Sequence, residues 1–163
     1  MAGVIGIVIV AHGGLAREYL AAVEHIVGRQ PGMRAIAIEE GHNRAAKQAE
    51  ICAAADAVDG GAGVVVVTDM FGGSPSNLSL PAGVAPNRRI LYGANLPMLI
   101  KLAKSRELGV DRAVASALNA GRKYIDSLDL APPAAREPAV NGRTVENTLP
   151  EPAPAGAPER DGE

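Results

Sequence analysis

A histidine and an aspartate each follow a run of apolar residues, and this pair is where the sequence could carry chemistry. His12 lies just after the run 4–10 (VIGIVIV), and Asp69 lies just after the run 64–67 (VVVV). If the two runs are neighbouring parallel strands, both side chains lie at the same edge of a sheet. A carboxylate that accepts one ring N–H of an imidazole fixes its tautomer, which leaves the other ring nitrogen free as a nucleophile or ligand.

A glycine-rich loop follows Asp69 and predicts a site for an anion beside the histidine. Residues 70–75 (MFGGSP) contain paired glycines, which let the backbone approach a phosphate closely, and a Ser-Pro pair that suits the first turn of a helix. The hydroxyls of Thr68 and Ser74 could donate to the same oxygens. The sequence therefore predicts a histidine that carries a phosphoryl group. We expect His12 and Asp69 as catalytic residues and a phosphate-binding set of Thr68, Phe71, Gly72, Gly73 and Ser74.

Each of these features also has an ordinary structural interpretation. His12 could satisfy backbone groups in a loop, Asp69 could cap the following helix, and paired glycines often mark only a turn. His42 precedes a predicted helix and lies either on the surface or along the same sheet edge. His25 and Cys52 fall on predicted helices, where we expect a surface position and a core position respectively.

Composition indicates one main domain and excludes several classes of partner. A hydrophobic content of 47% over 163 residues is enough for one sizeable core. The net charge of −2, with three tyrosines and one phenylalanine, gives neither a basic surface nor stacking platforms for nucleic acid. The single cysteine favours a reducing compartment, and the apolar run at 4–11 is too short to span a bilayer and lacks a secretion-signal pattern. We expect a cytoplasmic protein without membrane insertion.

Strand patterns alternate with helix patterns, which is typical of an α/β fold with a parallel sheet. Apolar runs predict four strands, at residues 4–10, 33–38, 63–68 and 89–93. Apolar spacing predicts four helices, at residues 15–27, 43–58, 97–107 and 111–128. A fifth helix, opened by Ser74, is predicted to be weak because Pro81 and Gly83 interrupt it. We predict an open, mainly parallel sheet of about four strands flanked by helices.

The C-terminal residues differ in composition from the rest of the chain. Residues 131–163 hold seven of the twelve prolines, six acidic residues and three arginines, with no apolar periodicity. Such a segment buries too little apolar surface to offset its ordering entropy. We therefore predict one domain over residues 1–130 and a disordered, proline-rich tail over residues 131–163.

Three common nucleotide and hydrolase motifs are absent from the sequence. There is no G-x-x-x-x-G-K-[ST] loop, no G-x-G-x-x-G after the first predicted strand, and no G-x-S-x-G elbow. The sequence therefore does not support nucleoside triphosphate binding by a Walker loop, a dinucleotide fold or a serine hydrolase of that type.

Three runs of residues, in order along the chain, resemble the mannose-family enzyme IIA component of the bacterial phosphoenolpyruvate-dependent sugar phosphotransferase system. They are residues 7–13 (IVIVAHG), 68–77 (TDMFGGSPSN) and 93–99 (GANLPML). The resemblance covers about residues 3–128. It implies a phosphocarrier whose histidine takes a phosphoryl group from the histidine phosphocarrier protein HPr.

The resemblance also implies residue roles, assembly and partners. His12 matches the family's phosphorylated histidine, and Asp69 matches its orienting carboxylate. The family commonly dimerises with C-terminal segments contributing to the partner subunit, so we expect a homodimer and a possible swapped edge strand near residues 110–115. Neither a cofactor nor a metal is expected. Family transporters often fuse a IIB domain after a linker, and nothing like one follows Leu130, so a separate IIB component or a regulatory protein is the expected second partner.

Two other functions remain open at this point. The protein could be a purely regulatory module, in which phosphorylation of His12 changes its affinity for a partner. It could instead be a small chelatase-like metal-binding protein, because a strand followed by Ala-His-Gly also opens metal-inserting tetrapyrrole enzymes. That function needs further histidine or glutamate ligands, of which only His42 is a candidate.

Overall fold

Four parallel strands form the sheet of the computed structural model, which describes residues 3–128 and residue 130. All three strand pairs are parallel, in the spatial order β2-β1-β3-β4. The strands are β1 (Gly6–His12), β2 (Met33–Ile38), β3 (Val64–Thr68) and β4 (Arg88–Leu91). The predicted open parallel sheet of four strands is confirmed.

Within the described residues, five α-helices cover the two faces of this sheet. They are α1 (Leu15–Val27), α2 (Arg44–Val58), α3 (Ser74–Ser79), α4 (Leu96–Lys104) and α5 (Val110–Lys123). Helices α1, α4 and α5 contribute to the core on one face, and α2 and α3 contribute to the core on the other.

The central strand β1 is buried on both faces, which is why helices are needed on each side. Ile7 and Ile9 belong to the core beneath α1, α4 and α5, whereas Val8 and Val10 belong to the core beneath α2 and α3. Successive side chains of a strand point to opposite faces, so an unbroken apolar run fills both cores. This packing fixes β1 in the middle of the molecule and leaves its last residue, His12, at the exposed end of the sheet.

The helix after the glycine loop was predicted to be interrupted early, and it is short in the structure. α3 has six residues and passes directly into a 3-10 turn at Leu80–Gly83, which contains Pro81. Proline cannot donate the backbone hydrogen bond that would continue an α-helix. α4 ends at Lys104 rather than near residue 107, because a second 3-10 turn follows at Arg106–Leu108.

The edge strand expected near residues 110–115 is wrong, because these residues begin α5. The helix ends at Lys123 rather than near residue 128. Its buried residues recur at helical spacing, so a helix buries them on one face where a strand would not. They are Val110, Ala113, Ala117 and Gly121.

The predicted tail at residues 131–163 lies outside the described residues. Its disorder, and the domain boundary near residue 130, therefore stay predictions. Among the residues that the structure describes, no helix is both long enough and apolar enough to cross a membrane.

A buried guanidinium links the segments that precede β1 and β2. Nε of Arg106 donates to the carbonyl of Ile5 at 2.7 Å, and Nη1 donates to the carbonyl of Pro31 at 2.8 Å. The backbone N–H of Ile5 donates in return to the carbonyl of Arg106 at 3.1 Å. Burial lowers the pKa of Arg106. Its guanidinium is the hydrogen-bond donor to both carbonyls. The contact ties the chain before β1 to the turn before β2.

Replacing Arg106 with methionine tests this contact while keeping most of the aliphatic volume. Arg106→Met leaves two carbonyls without their donors, so we expect the free energy of unfolding to fall by about 1–3 kcal/mol. Arg89→Met is the matched control, because Arg89 makes an exposed ion pair with Asp111 at 2.8 Å and such pairs contribute about 0–1 kcal/mol. Urea denaturation of both variants measures the difference, and equal losses would contradict the structural role of Arg106.

Candidate functional site

The predicted pair of His12 and Asp69 forms at the carboxyl ends of β1 and β3. These strands are neighbours, with Val10 of β1 paired to Thr68 of β3. Oδ2 of Asp69 accepts the Nδ1 hydrogen bond of His12 at 2.8 Å and the backbone N–H of the same residue at 2.9 Å. The carboxylate therefore fixes both the ring and the backbone of the histidine.

Asp69 is held as a carboxylate, and this settles the tautomer of His12. Its other oxygen, Oδ1, accepts the backbone N–H of Met70 at 2.9 Å. Burial acts to raise the pKa of Asp69, but the hydrogen bonds from His12 and Met70 and the charge interaction with His12 outweigh it, so the pKa lies below its usual value. A carboxylate can only accept, so Nδ1 of His12 is the donor and Nε2 carries the free lone pair of the neutral ring.

The free side of the imidazole is open to solvent and bordered by a glycine. The His12 side chain is 48% exposed, compared with 12% for Asp69. A Cβ atom placed on Gly73 would lie 3.0 Å from Cε1 of His12 and 3.5 Å from Nε2. The backbone at this position has an ordinary φ of −78°, so the absence of a side chain here serves the close approach rather than the turn.

A surface cavity of about 390 Å³ lies beside the imidazole. Its volume is sufficient for a phosphoryl group together with water or a partner's side chain. It is lined by the ends of β1 and β2, the loop that follows β2, and the start of α3. The lining residues are His12, Gly13, Ile38, Glu39, Glu40, His42 and Ser74. Of the predicted phosphate-binding residues, Ser74 therefore lines the same cavity as His12.

Thr68 is not brought into this cavity, which corrects the prediction that its hydroxyl donates to phosphate. The side chain is fully buried, and its hydroxyl donates to the carbonyl of Leu91 at 3.3 Å. Strand alternation places its side chain on the face opposite that of Val67, which belongs to the core beneath α1, α4 and α5. Its role is to join β3 to the end of β4.

The loop that carries Phe71, Gly72 and Gly73 is held together by its own contacts. Gly72 has a φ of 78°, which L side chains rarely adopt, and its carbonyl accepts the side-chain amide of Asn77 at 3.2 Å. The ring of Phe71 is 72% exposed and lies 4.9 Å from the ring of Tyr92. The side chain of Phe71 therefore faces outward, and its place in the phosphate-binding set stays a prediction.

Two further residues at this rim have structural roles. Asn95, which follows β4, caps α4 by accepting the N–H of Met98 at 3.0 Å. Tyr19 on α1 donates its hydroxyl to the carbonyl of Ala94 at 2.9 Å, and its pKa is raised by burial and by the charge of Asp69. Tyr19 thus braces the loop behind the carboxylate. The signal for it was a phenol on an otherwise apolar helix stripe, since a buried hydroxyl needs a partner.

The metal-binding alternative finds no support in the part of the chain that the structure describes. No group of three or more histidine, cysteine, aspartate or glutamate side chains is arranged there to hold a metal ion. His42 lines the cavity together with His12. This sheet-edge position is one of the two that the sequence left open for it. Two imidazoles alone fall short of the three protein ligands typical of catalytic zinc.

Comparison with known sequences identifies the family. A family model described as "PTS system fructose IIA component", named EIIA-man, matches residues 6–118. The PTS system mannose-specific EIIAB component of Escherichia coli strain K12 is 30% identical over 138 residues, which cover 83% of this chain and 43% of that protein. This chain belongs to the mannose-type IIA family of the sugar phosphotransferase system. It spans less than half the length of the curated relatives that it matches.

Solved structures agree with this assignment. The mannose/sorbose specific IIA subunit from Enterococcus faecalis has a TM-score of 0.71 and 27% identity, covering 80% of this chain and 98% of that one. The phosphotransferase system component EIIA from Streptococcus agalactiae has a TM-score of 0.68 and 28% identity, covering 76% and 96% respectively. The sugars named for the relatives differ, so family membership does not specify a sugar. The predicted family and fold are confirmed.

Replacing Asp69 with asparagine tests the electrostatics of the pair. Because the folded-state pKa of Asp69 lies below its usual value of 3.8, its stabilising contribution is fully present above that pH and is lost as the pH falls through the folded-state pKa. We expect the wild type to be more stable than Asp69→Asn at neutral pH, and the difference to shrink at acid pH. Denaturation across a pH series measures this, with the exposed Asp111→Asn as control. A difference that is constant at every pH would contradict the account.

Proposed function

We propose that this protein is a phosphocarrier, in which His12 accepts a phosphoryl group from phosphorylated HPr and passes it on. The observation that carries the proposal is the exposed imidazole whose Nδ1 is bound by the Asp69 carboxylate at 2.8 Å. This leaves Nε2 as the nucleophile at the mouth of a cavity. Membership in the mannose-type IIA family supports the same role.

The chemistry is an in-line displacement at phosphorus. The Nε2 lone pair of His12 attacks the phosphorus of the donor's phosphohistidine, and the donor's N–P bond breaks with its electron pair returning to the donor ring. Asp69 stabilises the positive charge that develops on the His12 ring during attack. The transferred phosphoryl group then faces the cavity, where the Gly73 backbone and the Ser74 hydroxyl are available to its oxygens.

Exposed apolar side chains beside the site support docking of a protein donor. Met70 is 54% exposed, Phe71 72% and Tyr92 55%. Large apolar groups exposed together often mark a protein interaction surface. We assign this surface, next to the imidazole, to the partners that deliver and remove the phosphoryl group.

The phosphoryl group on His12 has two possible uses, and they differ in the second partner. A transport relay requires a IIB acceptor, whereas a regulatory module requires only a protein whose affinity changes on phosphorylation. The Escherichia coli relative is named an EIIAB component, and this chain covers 43% of it. We favour the relay to a IIB acceptor. The homodimer implied by the family resemblance stays a prediction.

Phosphate labelling tests the proposed carrier. Incubation with enzyme I, HPr and radiolabelled phosphoenolpyruvate should label the wild type and His25→Ala, and should leave His12→Ala unlabelled, because His12 supplies the attacking nitrogen. His25 is an exposed histidine on α1 and serves as the matched control. Labelled His12→Ala, or an unlabelled wild type, would refute the proposal. Transfer of label to a IIB component then separates the relay from the regulatory module.

Gly73→Ala tests whether the free nitrogen needs the space beside it. The added methyl group would lie 3.5 Å from Nε2 of His12 and would crowd the incoming phosphorus, so we expect the labelling rate to fall about 10- to 100-fold. The backbone conformation suits alanine, so the substitution adds no backbone strain. Gly60→Ala, where a methyl group meets open space, is the control. Wild-type labelling kinetics in Gly73→Ala would show that the nitrogen reacts from another side.

A further inference from the structure

A second imidazole lines the cavity into which His12 opens. Nδ1 of His42 lies 2.8 Å from the carbonyl oxygen of Glu39, a group that can only accept, so Nδ1 donates and Nε2 is left for other contacts. His42 is half-buried, and it lines the same cavity as His12 and Ser74. The hydrogen bond to Glu39 fixes the ring within this wall.

The charges around the cavity would disfavour a phosphoryl dianion unless a cation offsets them. Glu39 and Glu40 both line it. Arg17 on α1 pairs with Glu39 at 3.5 Å, but both groups are exposed and the pair is therefore weak. Apart from His12, His42 is the lining side chain that can become a cation in the cavity, and it does so without giving up its own hydrogen bond. The titratable and charged groups on the surrounding elements are Glu39, Glu40, Arg17, Arg44, His12 and Asp69.

We propose that protonated His42 binds the phosphoryl group carried by His12, donating from Nε2 to a phosphoryl oxygen. The inference rests on the proposed phosphoryl transfer to His12. No bond to phosphorus forms at His42. Its ring takes one proton from solvent when the dianion arrives and returns that proton when the phosphoryl group leaves. His42 is thus a phosphoryl-binding residue in addition to the nucleophile His12 and its carboxylate partner Asp69.

This arrangement makes phosphorylation pH-dependent, with a definite sign. Imidazole is the side chain that changes charge between about pH 5 and pH 8, and a neighbouring dianion favours its protonated form. At His42, a proton therefore favours the phosphorylated protein over the free protein. The contribution of His42 to the affinity for the phosphoryl group should fall as the pH rises.

The test is the equilibrium constant for phosphoryl exchange between phosphorylated HPr and this protein, measured at about pH 6 and about pH 9. We expect His42→Ala to lower the constant about three- to tenfold at the lower pH and to change it little at the higher pH. His42→Lys, which keeps a positive charge throughout, should exceed the wild type at the higher pH. His25→Ala should follow the wild type at both. The titration of HPr itself is common to all variants and cancels in their ratios.

A purely structural role for His42 gives a different result. It would change the constant equally at both pH values, and either that outcome or no change in His42→Ala would overturn the inference. If His42→Ala does not fold, the comparison of His42→Lys with the wild type at the higher pH decides in its place. A wild type that takes no label on His12 overturns both this inference and the proposed function. A labelled wild type with a pH-independent His42→Ala effect overturns this inference alone.

Discussion

The hydrogen bond from Nδ1 of His12 to the Asp69 carboxylate is the interaction on which the site depends. It decides which ring nitrogen is protonated and which carries the free lone pair, and it orients an exposed imidazole. The carboxylate can do this because three N–H donors, from the His12 ring, the His12 backbone and Met70, keep it ionised and in place. Without this contact, the ring could rotate and either nitrogen could face the cavity.

The fold supplies the contact through strand register. Two adjacent parallel strands, each buried on both faces, end at the same level, so the residues just beyond Val10 and Thr68 meet. Neighbouring segments then complete the site. Gly73 in the loop after β3 allows the backbone to lie against the imidazole ring. Tyr19 on α1 donates a hydrogen bond to the loop that contains Ala94. Rigid strands set the geometry, and the loops determine what can approach.

The sequence predicted the parts that depend on strong local patterns. Long β-branched runs predicted the central strands, and the polar residues that follow them predicted the meeting of His12 and Asp69. Thr68 was misassigned because its burial and its hydrogen bond to the carbonyl of Leu91, on another strand, arise only in the folded chain. The expectation of a strand near residues 110–115 came from family resemblance, whereas the local spacing of apolar residues already favoured the helix that forms. The bracing role of Tyr19 depends on a contact with Ala94, far along the chain, which no local pattern contains.

The most direct test of the account identifies the phosphorylated atom. Nitrogen-15 and phosphorus-31 NMR of the phosphorylated protein, with labelled histidine, reports which ring nitrogen is bonded to phosphorus and which keeps its proton. We expect phosphorus on Nε2 of His12, with Nδ1 still protonated against Asp69. Phosphorus on Nδ1, or on any other residue, would contradict it.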